Sequence, residues 1–261
     1  METELIEATV VWFMNDNRDW EGAMLDRTIP FYNTILKCSD YSPRPVELPD
    51  GFSIVSYLYG YENEWAKLEY AIGDFDSLEA AKKYFVETYL QKSELFPNIL
   101  FLLNREHEIV GSCIAWQDMQ SRNSVSSLHW LVVQEQYQGI GLGRALSTAV
   151  MNIYADHGAF PVYIHTQPWS WKAILLYLSL GFRLQKTDTF LHYENEYGKA
   201  MAELRKIVSE IAGTASGGCG VGVPVGCDTR LCRRFCSGVN VHAPAALLWC
   251  TDGRDGGHFR R

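Results

Sequence analysis

No apolar run in this chain approaches the ~18 residues that a helix needs to span a bilayer, so a transmembrane helix is excluded. The opening Met1-Glu2-Thr3-Glu4 is acidic, which argues against a secretory or transit leader and makes the cytoplasm the expected location. Basic charge is in short supply. Lys and Arg total 23 against 31 Asp and Glu, a formal net charge of −8. That balance argues against a nucleic-acid footprint and mildly favours cationic partners or substrates. A paired Cys-x-x-Cys is missing, and only Cys38 and Cys113 lie outside the last fifty residues, where they are expected to be reduced packing residues. The two common phosphate-binding fingerprints, Gly-x-x-x-x-Gly-Lys-Ser/Thr and Gly-x-Gly-x-x-Gly, are missing as well.

What is present centres on one stretch, Leu131 to Leu146. Trp130 to Val133 is a short apolar run with β-branched residues, as expected of a covered strand. Gln134 to Gln138 is polar and stops it. Gly139, Gly141 and Gly143 then precede a periodic segment with Leu142, Ala145, Leu146, Ala149, Val150, Ile153 and Tyr154 on one helical face and Gly158 as its stop. Glycines let a backbone approach a ligand, and the free N–H groups of a helix's first turn favour an anion. The turn therefore suits a pyrophosphate. An ordinary sharp strand-to-helix turn uses glycine too.

Gln138, Gly141 and Gly143 fill the pattern Gln/Arg-x-x-Gly-x-Gly/Ala. With the preceding Leu-x-Val and Tyr137, the stretch resembles the acetyl-CoA motif of the GNAT superfamily of N-acetyltransferases. A second segment, Ser170 to Phe182, resembles that family's Asn-x-x-Ala-x-x-x-Tyr…Gly-Phe motif, with Ala173, Tyr177, Gly181 and Phe182 in register and Ser170 where Asn is common. The resemblance covers roughly residues 50 to 195.

Periodicity and turn residues predict the remaining elements in order. Phe52–Leu58 reads as a strand, Glu62–Ile72 and Ser77–Leu90 as helices, and Ile99–Leu103 and Ile109–Trp116 as a hairpin. Ser121–Ser127 reads as a polar loop. Pro161–Thr166 is a strand, Ser170–Leu180 a helix, Phe182–Leu184 a strand with Thr189–Tyr193 as its partner, and Tyr197–Ile211 an amphipathic helix. This order implies an α/β fold, and the resemblance a GNAT-type mixed, mainly antiparallel central sheet flanked by helices on both faces. Residues 1–48 read as an N-terminal extension in which Ile29–Leu36 adds an edge strand, Pro30 suiting an edge. Residues 49–211 form the acetyltransferase domain. Residues 212–261 differ: ten Gly, five Cys, and six Arg against three Asp with no Lys. This tail is expected to be disordered, with Cys219, Cys227, Cys232, Cys236 and Cys250 too irregularly spaced for a zinc site even with His242 and His258 near.

The resemblance implies direct transfer of an acetyl group from acetyl-CoA, a co-substrate, to a primary amine, with no metal. Leu131, Val132 and Val133 would hold the pantetheine arm, and the Leu131 N–H would serve the oxyanion. Gln138, Gly139, Ile140, Gly141, Leu142, Gly143 and Arg144 would hold the pyrophosphate, and Ser170 would face the cofactor. Tyr177 is the family's common general acid toward the departing thiol. His129, two residues before Leu131 on an alternating strand, should share its face and is the first candidate base. Glu69 is its rival and could form, with Asp74 and Asp76, an acidic rim for a cationic amine. His165 is a third choice. Trp116, Trp130, Trp169 and Trp171 are expected around the cleft. A non-catalytic acyl-CoA-binding or regulatory module is the alternative. The acceptor is a small-molecule amine, and the extension could pack on the domain or on a second copy.

Overall fold

A computed structural model describes residues 26–120 and 123–215. By its contacts the chain divides into two compact units, Met1–Ala212 and Gly213–Arg261. Nearly all of the second, including its five cysteines and both histidines, lies outside the described residues.

Among its described residues the first unit has seven strands: β1 (Thr34–Cys38), β2 (Ser53–Ser56), β3 (Ile99–Leu103), β4 (Ile109–Gln120), β5 (Asn123–Val133), β6 (Val162–Thr166) and β7 (Arg183–Leu184). Their spatial order is β2-β3-β4-β5-β6-β1-β7. Only β5 and β6 run parallel, and every other pair is antiparallel. β3 reads Ile-Leu-Phe-Leu-Leu and all five residues are buried, because helices cover the sheet on both sides. On one face α1 (Tyr61–Ala71) and α2 (Leu78–Thr88) enclose a cluster that includes Trp65, Phe85, Tyr89, Phe101 and Ile114. On the other, α3 (Leu142–Asp156), α4 (Trp171–Ser179) and α5 (Tyr197–Ala215) enclose one that includes Leu146, Val150, Ile174, Phe182 and Leu204. Ser77 caps α2, its hydroxyl accepting from the Ala80 N–H at 3.0 Å. No helix among the described residues is long and apolar enough to cross a membrane.

Three expectations need correction. The strand near the N-terminus is not at an edge: β1 lies between β6 and β7 and pairs with both. It also starts at Thr34, beyond Pro30, so every residue of it can donate to a ladder. The polar stretch Ser121–Ser127 is mostly strand rather than loop, since β4 and β5 form one long hairpin pairing out to Gln120↔Asn123. The antiparallel pairing with β4 overrides the preference of its serines for turns. Finally, Thr189–Tyr193 is not the partner of β7. It holds only an isolated Phe190–Tyr193 bridge, and β1 has taken that place.

The β4–β5 hairpin is pinned from behind by Tyr154 of α3. Its buried hydroxyl lies 3.0 Å from the Trp116 carbonyl oxygen and 2.7 Å from that of Ser127, to which it donates. Tyr154→Phe would remove this buried donor from both carbonyls. We expect it to destabilise the domain by about 1–3 kcal/mol, read as a lowered urea midpoint with an unchanged m value.

Candidate active site

Beyond Ser127 the parallel pair separates. The β5–β6 ladder contains only Ser126↔Val162 and Ser127↔Tyr163. From Leu128 onward the β5 backbone faces a cavity of about 570 Å³ instead of a neighbouring strand. Leu128 to Leu131 line one wall, Ile164 to Gln167 the other, and α4 closes one side with Ser170, Ala173 and Tyr177. Glu69, Ile72 and Asp74 approach from the end of α1.

β5 does not alternate regularly here. Its register with β4 shifts between Ser112↔Val132 and Ile114↔His129, so Trp130 and Leu131 together oppose Cys113. Trp130 has φ 51, a left-handed backbone at the bulge. The bulge corrects one expectation: His129 and Leu131 do not share a face. His129 approaches Tyr89 and Trp116 on the α1/α2 side, whereas Leu131 packs against the α3/α4 cluster. One extra residue reverses every inside–outside assignment that follows it.

At the end of β5 the chain turns into α3. Gly139 (φ 83) and Gly141 (φ 91) are both in the left-handed region, and a Cβ on either would meet nothing within 4 Å. Gly141 caps the helix without a side-chain hydrogen bond, and the first turn holds no acidic residue. The N–H groups of Leu142, Gly143 and Arg144 thus have no acceptor within the helix. Open space above glycines, unclaimed donors and the positive end of a 15-residue helix fit a pyrophosphate. Gly143 differs. It has an ordinary φ, and its Cβ position lies 3.6 Å from Leu176 Cδ2, so it serves helix packing. Gln138 braces the turn, its Nε2 donating to the Val133 carbonyl at 2.8 Å. Arg144 is exposed and held by Ser179 Oγ at 3.0 Å, while Ile140 is half exposed and Leu142 buried. Ser170 Oγ accepts from Gln167 Nε2 at 2.8 Å beside the cavity.

All three candidate catalytic side chains line the cavity, as does His165. Glu69 is not on a solvated rim. It is 1% exposed, and neither of its oxygens has a hydrogen-bond partner. Burial, with a lesser contribution from the Asp74 charge, pushes its carboxyl well above the usual carboxylate range. Asp74 is paired with Arg27 at 2.8 Å, and Asp76 is exposed and does not line the cavity. Tyr177 is 6% exposed, and burial holds its proton on the phenol. His165 donates from Nε2 to Asn33 Oδ1 at 2.8 Å and stacks on Tyr193 with ring centroids 3.5 Å apart. Burial, assisted by His192 and His129, pushes it down to about 4, so it is neutral at physiological pH. Of the four tryptophans, Trp130 and Trp169 line the cavity. Trp116 and Trp171 are packed behind it.

Both ring nitrogens of His129 are occupied: Nε2 by Asp118 Oδ2 at 3.1 Å and Nδ1 by the Tyr89 hydroxyl at 3.2 Å. Asp118, Tyr84 and Tyr193 also line the cavity, and none was singled out from the sequence. Asp118 could be found only by knowing that β4 runs on past Trp116.

A parallel pair opens onto a glycine turn and an uncapped helix start, with buried acid and phenol groups in the gap. Residues 62–182, a little under half of the chain, match the model of the Acetyltransferase (GNAT) family. A mycothiol acetyltransferase from Acidothermus cellulolyticus is 29% identical over 160 residues, 55% of this chain and 48% of that protein. The chain thus spans about half the length of this curated relative. Among solved structures, a GCN5-related N-acetyltransferase from Sphaerobacter thermophilus aligns with TM-score 0.46 and 19% identity, covering 60% of this chain and 49% of the other. Glucosamine-6-phosphate N-acetyltransferase from Arabidopsis thaliana aligns with TM-score 0.42 and 13% identity, covering 56% and 99%.

Proposed function

We propose that this protein transfers an acetyl group directly from acetyl-CoA to the primary amine of a small, cationic acceptor, with Glu69 as general base and Tyr177 as general acid. The observation that carries the reading is Glu69: a fully buried carboxyl without a partner, at the wall of the same cavity that Tyr177 enters. A buried acid with unused hydrogen-bonding capacity suits a ligand that brings donors and positive charge. When bound, acetyl-CoA supplies an activated thioester. The chain's residues do the rest. The Gly139–Arg144 amides hold the anionic end, and the free edge of β5 holds the arm and offers the Leu131 N–H to the developing oxyanion. Glu69 in its carboxylate form, which is populated only above its raised pKa, takes one proton from the ammonium, leaving a neutral nucleophile. In a poorly solvated cavity the neutral pair, carboxylic acid and free amine, is favoured over the ion pair. Tyr177, which keeps its proton, donates it as the thiolate leaves. Trp130 and Trp169 offer faces to an apolar or cationic acceptor body.

The test is calorimetric titration of acetyl-CoA, followed by an amine panel scored by release of free thiol. Tyr177→Phe should lower kcat about 100-fold while leaving acetyl-CoA affinity unchanged, since the ring remains in its apolar setting. Tight cofactor binding with no thiol release across the panel would replace transfer by a non-catalytic acyl-CoA-binding role. An undiminished kcat in Tyr177→Phe would remove the acid assignment alone.

A further inference from the structure

The segment before β1 ties two walls of the cavity together. The Asp26 N–H donates to the Trp169 carbonyl at 3.0 Å. Asp26 also closes a turn on itself, its Oδ1 accepting from the Thr28 N–H at 3.1 Å and its carbonyl from the Ile29 N–H at 3.1 Å. Phe31, which lines the cavity, meets Trp169 edge to face with ring centroids 5.2 Å apart. Between these anchors Arg27 reaches the end of α1. Its Nη2 donates to the Ile72 carbonyl at 3.0 Å and to Asp74 Oδ1 at 2.8 Å, and its guanidinium carbon lies 5.0 Å from the centre of the Trp169 ring. A carboxylate, a carbonyl and an aromatic face thus converge on one positive charge. Burial lifts the Asp74 carboxyl above its ordinary range and the Arg27 charge opposes that lift, so this position calls for a cation.

The resident cation is held loosely. The Arg27 and Asp74 side chains are 43% and 31% exposed, so water screens the pair. The Asp26–Ile29 turn is closed by its own hydrogen bonds, and the guanidinium can leave without unmaking it. Arg27 also lines a second cavity, of about 650 Å³, with Glu64 and Glu135 in its wall, which gives the displaced side chain room and opposite charge. Asp74, Ile72 and Trp169 line the first cavity, as does Glu69, whose carboxyl is buried without a partner. The Asp74 N–H donates to the Glu69 carbonyl at 3.1 Å, so the two residues are joined through the backbone. One cavity therefore presents two carboxyls, one without a partner and one holding the chain's own cation.

We propose that Asp74, the Ile72 carbonyl and the Trp169 face form a seat for a second positive charge on the acceptor, and that Arg27 fills this seat until the acceptor displaces it. The proposal rests on the acetyl-transfer reading and narrows its acceptor to a short dication, a diamine or an amino-guanidine. The reacting nitrogen meets Glu69 while the far cation takes the place of Arg27. The exchange breaks and forms no covalent bond and leaves the charge at Asp74 balanced throughout. Arg27 is thereby a specificity-determining residue. A dication replaces the guanidinium with a charge of its own, whereas a monoamine engaged at Glu69 has nothing to offer Asp74.

The experiment titrates butane-1,4-diamine and butylamine, as probes, into the full chain by calorimetry at neutral pH. The wild type should prefer the diamine by about 10-fold. Arg27→Ala should bind the diamine about fivefold more tightly than wild type, because no resident charge has to leave. Arg27→Lys keeps a resident cation and should fall between the two. Asp74→Asn should lose the diamine preference. In thiol-release assays the preference should appear in the acceptor KM and not in kcat. Equal affinities for the two amines in the wild type would overturn the seat. A diamine affinity that falls in Arg27→Ala would also overturn it, and would make Arg27 a structural tie between the walls. Thiol release from a monoamine without any preference for the diamine would overturn the seat alone. Selective binding of the diamine with no thiol released by any amine would overturn the acetyl-transfer reading, and with it the seat's role in choosing an acceptor.

Discussion

Gly141→Val is expected to weaken acetyl-CoA binding at least about 100-fold, about 2.8 kcal/mol, whereas Gly143→Ala should bind within about threefold of wild type. The contrast comes from the backbone. Gly141 has φ 91, a region that costs an L-residue about 1–2 kcal/mol and a β-branched one more. A valine there forces the turn to reshape and redirects the first N–H groups of α3. Gly143 already has helical backbone, and the methyl of an alanine would meet Leu176 at an ordinary contact distance. An alanine inside a helix also adds about 0.5–1 kcal/mol of stability. Calorimetry checks both variants, with far-UV circular dichroism confirming that each is folded. Unimpaired binding by Gly141→Val would mean that the cofactor's anionic end does not lie on this turn.

Glu69→Gln should lower kcat about 1000-fold and at the same time change how stability depends on pH. The amide keeps the shape of the side chain but can accept no proton from an ammonium. For stability, the folded state holds the Glu69 proton more tightly than the unfolded chain does, where the group titrates near its ordinary 4.5. Above that pH, therefore, the folded protein binds more protons, and stability falls as pH rises until the raised folded value is passed. The glutamine variant lacks this contribution. Its stability relative to wild type should accordingly improve steadily from about pH 4.5 upward, with a slope of about 1.4 kcal/mol for each pH unit. Denaturant midpoints of the two proteins at several pH values measure it. Parallel pH curves would show that Glu69 is not held protonated by burial. A kcat that survives would return the base assignment to another group.

Much of this architecture is legible in the residues. The alternation of apolar and polar positions, the 3.6-residue period of α3 and α4, and the glycines at the turn are local signals, and local physics decides what they form. Ser77 at the start of α2 and Gly141 at the start of α3 could be read without a neighbour in view. The acidic balance of the chain and the two separated motifs also belong to the sequence itself. They led to the acetyltransferase family before any contact was known.

Other features depend on which segments meet in space. β1 reads as an edge strand because nothing in Thr34–Cys38 records that β6 and β7 will lie on either side of it. The bulge at Trp130 and Leu131 exists only because β4 and β5 pair in a particular register, and it alone separates His129 from Leu131. Glu69 carries no mark of its burial: on its helix it follows Leu68 as a surface residue could. It loses water because the packed fold leaves it 1% exposed. Asp118 joins His129 across a hairpin whose far end, Ser121–Ser127, reads as a loop. Sequence therefore determined the elements, the glycine turn and the family. Tertiary structure decided the burial of Glu69, the hydrogen-bond partners of His129 and the gap between β5 and β6, since desolvation and hydrogen-bond partners arise only when distant residues are brought together.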